Sequence, residues 1–145
     1  MKKILSIMIV VWGIAVLCTL FLSSCKRPEV LDNSTLVNSA RNVALTFGPA
    51  YVPFFKEANV SDVQVFKKKD YGGDSRPQIR KQIGRKFYTV TFTYDSTAVK
   101  FDFGFAARVR IWKDTGEPLD VIFGNGWGRN FFFLSFKEQT DHSAN

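Results

Sequence analysis

From Val60 onward the apolar residues of this 145-residue chain recur at every second position. That alternation limits the fold more than any other feature, because a period of two places successive side chains on opposite faces of an extended strand. Val63 and Val65 alternate with Asp62 and Gln64. Tyr88, Val90, Phe92 and Tyr94 alternate with Thr89, Thr91 and Thr93. The longest run is Phe101, Phe103, Phe105, Ala107, Val109 and Ile111, interleaved with Asp102, Gly104, Ala106, Arg108, Arg110 and Trp112, and it predicts one long strand. Asp114-Thr115-Gly116 predicts a turn, after which Leu119, Val121 and Phe123 continue the alternation. Gly124-Asn125-Gly126 turns again, and Asn130 to Lys137 predicts a last, Phe-rich strand.

Upstream the period is helical. Leu36, Val37, Ala40, Val43, Ala44 and Phe47 fall on one face at 3.6 residues per turn, predicting a helix over Ser34 to Phe47. Asn33 or Ser34 is placed to cap its start, and Gly48-Pro49 to stop it, the glycine by a left-handed conformation. Tyr51 to Ala58 predicts a second short helical turn. One helix followed by strands with short links predicts an α+β fold: an N-terminal helix packed on a curved antiparallel sheet of four to five strands. This outline resembles the cystatin-like and NTF2-like shapes over residues 34–138, in architecture alone, and such a likeness carries no function.

The N-terminus reads as an export signal. Lys2 and Lys3 precede an uncharged stretch, Ile4 to Leu22, which ends in Leu22-Ser23-Ser24-Cys25. That layout resembles the signal peptide and lipobox of bacterial lipoproteins. The resemblance implies cleavage before Cys25, acylation of its thiol and a lipid anchor in a membrane of the cell envelope. The apolar stretch also has 19 residues, roughly 28 Å as a helix, so an uncleaved N-terminal transmembrane anchor or a fully removed signal stays open. The expected organisation is a signal peptide at 1–24, a tether at 25–33, one domain at 34–138 and a polar tail at 139–145. A mature chain starting at Cys25 has 121 residues (145 less 24), which suits a single domain.

Composition then removes chemistries. His142, the only histidine, lies in the polar tail, so Ser-His-Asp, Cys-His and His-rich zinc arrangements are not expected. Cys18 lies in the signal, and Cys25 is assigned to the lipid, which leaves the domain without a thiol nucleophile or a disulfide. Gly72-Gly73 and the glycines at 124, 126 and 128 read as turns and not as phosphate loops. No enzyme, cofactor or metal is predicted. Asp95, Asp102 and Asp120 are the carboxylates nearest the strands, and a cross-strand ion pair is the plainer account of Asp102 beside Arg108 and Arg110.

The net charge is +7, and its excess is concentrated between Lys67 and Lys86. In an exported domain this suits an anionic lipid, glycan or protein, and no nucleic acid partner is expected. Arg108, Arg110 and Trp112 share the strand face opposite the apolar stripe, and Trp127 sits between glycines. These four residues form the expected binding surface, because interfaces favour Arg and Trp and a flat ring stacks on sugars. The expectation is a membrane-tethered envelope lipoprotein that binds an envelope protein, peptide or glycan. The alternatives are an inhibitor or immunity-type protein acting on an envelope enzyme, and a small hydrolase or ligand carrier with an NTF2-like pocket.

Overall fold

A computed structural model describes residues 31–73 and 76–133, which belong to one compact unit. Cys25, the apolar stretch before it, most of the tether, residues 134–137 and the tail with His142 lie outside the described residues. Among the described residues no helix is long and apolar enough to cross a membrane.

The chain is α+β. Helix α1 spans Asn33–Phe47 and buries Leu36, Ala40, Val43 and Ala44, the stripe its period predicts. Its cap is Asp32, one residue before the expected pair: Asp32 Oδ1 accepts from the Thr35 N–H at 2.7 Å and from the Ser34 hydroxyl at 3.0 Å. The Thr35 backbone bond, above all, holds the Asp32 carboxyl below its usual pKa. Gly48 ends the helix for a different reason from the one expected. Its φ of −151° is not left-handed. A β-carbon there would lie 2.3 Å from Cζ of Phe123, so the glycine is needed for close approach. A 3-10 turn follows over Pro49–Phe54.

Among the described residues six strands form one antiparallel sheet: β1 (Ala58–Val60), β2 (Gln64–Val65), β3 (Lys86–Phe92), β4 (Ala107–Trp112), β5 (Pro118–Phe123) and β6 (Gly128–Asn130). Their order is β1-β3-β4-β5-β6, and β2 pairs with β3 beyond the end of β1. The sheet has one strand more than the five expected at most because residues 58–60, whose Ala58 is the expected end of a helical turn, pair with β3. Among the described residues the last strand is Gly128–Asn130, which meets the expected strand only at Asn130, and residues 131–133 lie outside any strand.

The long strand over 101–111 is half realised. The strand itself is Ala107–Trp112; residues 102–106 form a bend, in which the Phe103 N–H still donates to the Gly124 carbonyl and the Ala106 N–H to the Phe92 carbonyl, each at 2.9 Å. The cause is aromatic packing. The Phe101 ring sits 5.5 Å from Tyr51, 5.8 Å from Phe54 and 4.8 Å from Tyr94 by centroids, which holds the start of the segment outside the regular strand. Leu119 breaks the alternation too. Arg110 pairs with Asp120 but Ile111 with Pro118, so Leu119 is an extra residue on β5. This bulge sends Leu119 to the opposite face from Val121 and Phe123.

The sheet separates two cores. On one face α1 closes over Val90, Phe92, Val109, Ile111, Val121 and Phe123. On the other, Phe66 and Ile79 cover Phe87, Trp112 and Leu119. Phe66 follows directly from β2, and Ile79 belongs to a helical turn at Pro77–Arg80 inside the basic segment. That segment is therefore anchored by apolar residues at two points.

Candidate functional site

The second core covers only one end of the outer sheet face. Beyond it β3 and β4 present Thr89 opposite Arg110 and Thr91 opposite Arg108. With Ser61, Gln64 and Ile122 these residues line an open groove of about 520 Å³. A second groove of about 410 Å³ shares Gln64, Asp70 and Arg110 with it and adds Lys67 and Lys69. The two together form one polar trough along the outer face.

Local chemistry fixes the walls. The Ser61 hydroxyl accepts from the Thr89 N–H at 3.0 Å, and the Thr89 hydroxyl lies 3.5 Å from Gln64 Oε1. Asp70 accepts from the Lys67 N–H at 2.6 Å, which closes the turn that carries Lys67 and Lys69. The four expected binding residues part company here. Arg108 is exposed, with its guanidinium 4.2 Å above the buried Phe105 ring, and it has no carboxylate partner among the described residues. Such a cation keeps its charge free for a ligand while the ring fixes its position.

Arg110 is committed internally. Its Nε donates to both Asp120 oxygens at 2.9 and 3.1 Å, and Nη2 donates to Oδ2. Asp120 is buried, and the Arg110 guanidinium also faces Phe87 at 5.3 Å. Burial pulls the Arg110 pKa down, but the hydrogen bond and charge of Asp120 outweigh it, and the net direction is upward. The ion pair expected to involve Asp102 is thus made by Asp120. Asp102 is exposed on the bend that replaces the start of the long strand.

Trp112 corrects the reading of an exposed stripe. It is only 5% exposed, packed against Phe66 at 5.7 Å and capped by the Arg85 guanidinium at 4.0 Å. Arg85 is itself held by two bonds to Asp114, at 2.9 and 2.6 Å. Period alone puts Trp112 beside Arg108 and Arg110, but the basic segment folds over it. Trp127 is 47% exposed and stacks 5.4 Å from Phe123, whose ring belongs to the helix-side core. It is therefore not part of the groove. The structure brings together Arg108 and Arg110 and leaves the two tryptophans elsewhere.

Of the remaining carboxylates, Asp95 accepts from Lys56 Nζ at 2.9 Å and from the Thr97 hydroxyl at 2.6 Å. The Thr97 bond is the main cause holding its carboxyl well below the usual range. Among the described residues no three His, Cys, Asp or Glu side chains form a group that could hold a metal. Thr89, Thr91, Ser61 and Gln64 escaped the sequence reading. Their one signal was the polar half of the Thr89-Thr91-Thr93 alternation. Comparison of the chain with protein-family models, with curated proteins and with solved structures found no match.

Proposed function

We propose that this chain is a lipoprotein of a bacterial envelope, held by acylated Cys25, whose exported domain is a noncatalytic module that binds a protein, peptide or glycan through the outer-face groove. Arg108 carries the binding half of the proposal: an exposed, aromatic-seated cation without a carboxylate partner among the described residues, on the wall of a groove lined by hydroxyl and amide side chains. The same reading takes α1 across a curved sheet, in the outline of the cystatin-like and NTF2-like shapes. The helix side favours binding over a pocket enzyme or carrier, since Leu36 and Val43 of α1 pack on Phe92 and Phe123 of the sheet, each at most 2% exposed, where such a pocket would open.

Two experiments test the two halves. Cys25→Ala is expected to abolish incorporation of labelled palmitate and to leave an unprocessed precursor; unchanged labelling and mobility would remove the lipid anchor. A photocrosslinking residue at Gln64 is expected to give discrete adducts in cells, while one at Asn38 on the exposed side of α1 gives none. Equal yields from both positions would end the groove's claim to be the binding site.

A further inference from the structure

The groove floor offers no free backbone. β3 is paired with β4 on one side and with β1 and β2 on the other, and β4 lies between β3 and β5. A peptide that adds as a strand needs an unpaired edge, and neither floor strand has one; the free edge is that of two-residue β2 at the wall. What the floor and near wall offer is chiefly side chains: the hydroxyls of Thr89 and Thr91 and the amide of Gln64, the Ser61 hydroxyl being taken up by the Asp62 carbonyl and the Thr89 N–H. Hydroxyls and amides both donate and accept, which matches the vicinal hydroxyls of a sugar ring. Charge is arranged along the trough as well. Arg108 stands at one end, Lys67 and Lys69 at the other, and Asp70 lies between them beside Arg110, which is already paired with Asp120. A ligand anionic at every unit would meet the Asp70 carboxylate; a neutral sugar there would donate hydroxyls to it.

We infer that the groove binds an acidic oligosaccharide in which anionic and neutral sugars alternate, with Arg108 holding one carboxylate or sulfate, Lys67 and Lys69 the next, and Thr89, Thr91 and Gln64 the hydroxyls between. This rests on the binding-module reading of the same groove and gives it a ligand class. Arg108 supplies a charge-assisted hydrogen bond to the acid group. Phe105 beneath it holds the guanidinium in place, so less side-chain freedom is lost on binding.

The test is calorimetric titration of the full chain in detergent micelles with four probes. These are an alternating glucuronate/N-acetylglucosamine hexasaccharide, its carboxyl-reduced counterpart, hexagalacturonate and hexaglutamate. The alternating acid is expected to bind most tightly, with reduction of its carboxylates weakening it by about tenfold. Arg108→Gln should weaken it by a similar factor. Thr89→Val with Thr91→Val should weaken it several-fold at an unchanged melting temperature, and Gln64→Ala, at an exposed position, replaces that pair should it fail to fold. Lys113→Gln, in the exposed β4–β5 turn outside the groove, should change nothing. The inference is overturned by equal binding of the reduced sugar, by hexaglutamate or hexagalacturonate binding as tightly as the alternating acid, by a Lys113→Gln loss as large as that of Arg108→Gln, or by no binding of any sugar. In each of those cases discrete crosslinks from Gln64 would keep the broader binding reading alive, and their absence would remove that as well.

Discussion

On the helix side of the sheet, Val90, Phe92, Val109, Val121 and Phe123 lie beneath one amphipathic element, α1. On the outer side, Phe87, Trp112 and Leu119 lie beneath a loop-rich basic segment that reaches them through Phe66 and Ile79. A helix covers a sheet along its length, because its apolar stripe repeats every turn. A segment pinned by two side chains covers only what those side chains reach. The uncovered remainder of β3 and β4, with Thr89, Thr91 and Arg108, is the groove. The candidate site is thus the part of the outer face that the second core leaves open.

That contrast can be broken most directly by truncating one ring on each side. Phe92 and Phe66 are both fully buried, so Phe92→Ala and Phe66→Ala are each expected to cost about 3–5 kcal/mol in urea denaturation. A Phe66 cost below about 1 kcal/mol would make the basic segment a loose flap and not a second core. Next in size is the ion pair at the seam between core and groove. Asp120→Asn leaves the guanidinium of Arg110 without its carboxylate and should cost about 3 kcal/mol, whereas Arg110→Met with Asp120→Leu should recover most of that. Equal losses for the single and double variants would show that packing, not charge, holds the seam.

Gly48→Ala tests the tightness of the helix side. Its new methyl meets the Phe123 ring, for a cost of about 1–3 kcal/mol by overpacking, and Phe123→Leu in the same chain should relieve part of it. If the pair is additive, the contact between Gly48 and Phe123 is not the cause. A smaller effect comes from acid. The Arg85 hydrogen bond depresses the Asp114 pKa, so this stabilisation is present above the ordinary carboxylate pKa of about 3.9 and is lost as pH falls through the lower folded value. Asp114 is exposed while Arg85 is half-buried, so solvent screening keeps the pair to no more than about 1 kcal/mol. Asp114→Asn should flatten the acid limb of the stability curve by that amount, and an unchanged limb would assign it to Asp32 or Asp95. Least of all, Arg108→Gln should move stability by no more than about 0.5 kcal/mol, because the side chain is exposed and bonds to no carboxylate among the described residues.

Legibility in the sequence followed how local the cause was. The stripe from Leu36 to Ala44 and the alternations of Tyr88-Val90-Phe92 and Ala107-Val109-Ile111 needed only their own spacing, and each buries the expected side apart from half-buried Val37 and Tyr88. The turns at 114–116 and 124–126 were equally plain, and Gly116 and Gly126 do adopt positive φ. Phe101 and Phe103 obeyed the same alternation and yet fall outside the regular strand, because Phe101 packs on Tyr51, from the turn after α1, as well as on nearby Tyr94. Phe66, next to Lys67-Lys68-Lys69, gave no sign of being a core residue. Half of the site was legible: the period placed Arg108 and Arg110 on one outward face, but nothing in it showed which of them was free.

The sequence by itself determined the α+β class, the register of the helix stripe and the alternating faces of β3 and β4, since these depend on a periodicity carried by adjacent residues. Only the tertiary structure decided that Trp112 is buried and Arg108 exposed, although the two stand four residues apart on the same side of β4. The reason is physical. Period assigns a side chain to a face, but burial depends on what is laid over that face. Here the cover is set by Phe66 and Ile79, anchored from a segment more than twenty residues upstream of β4.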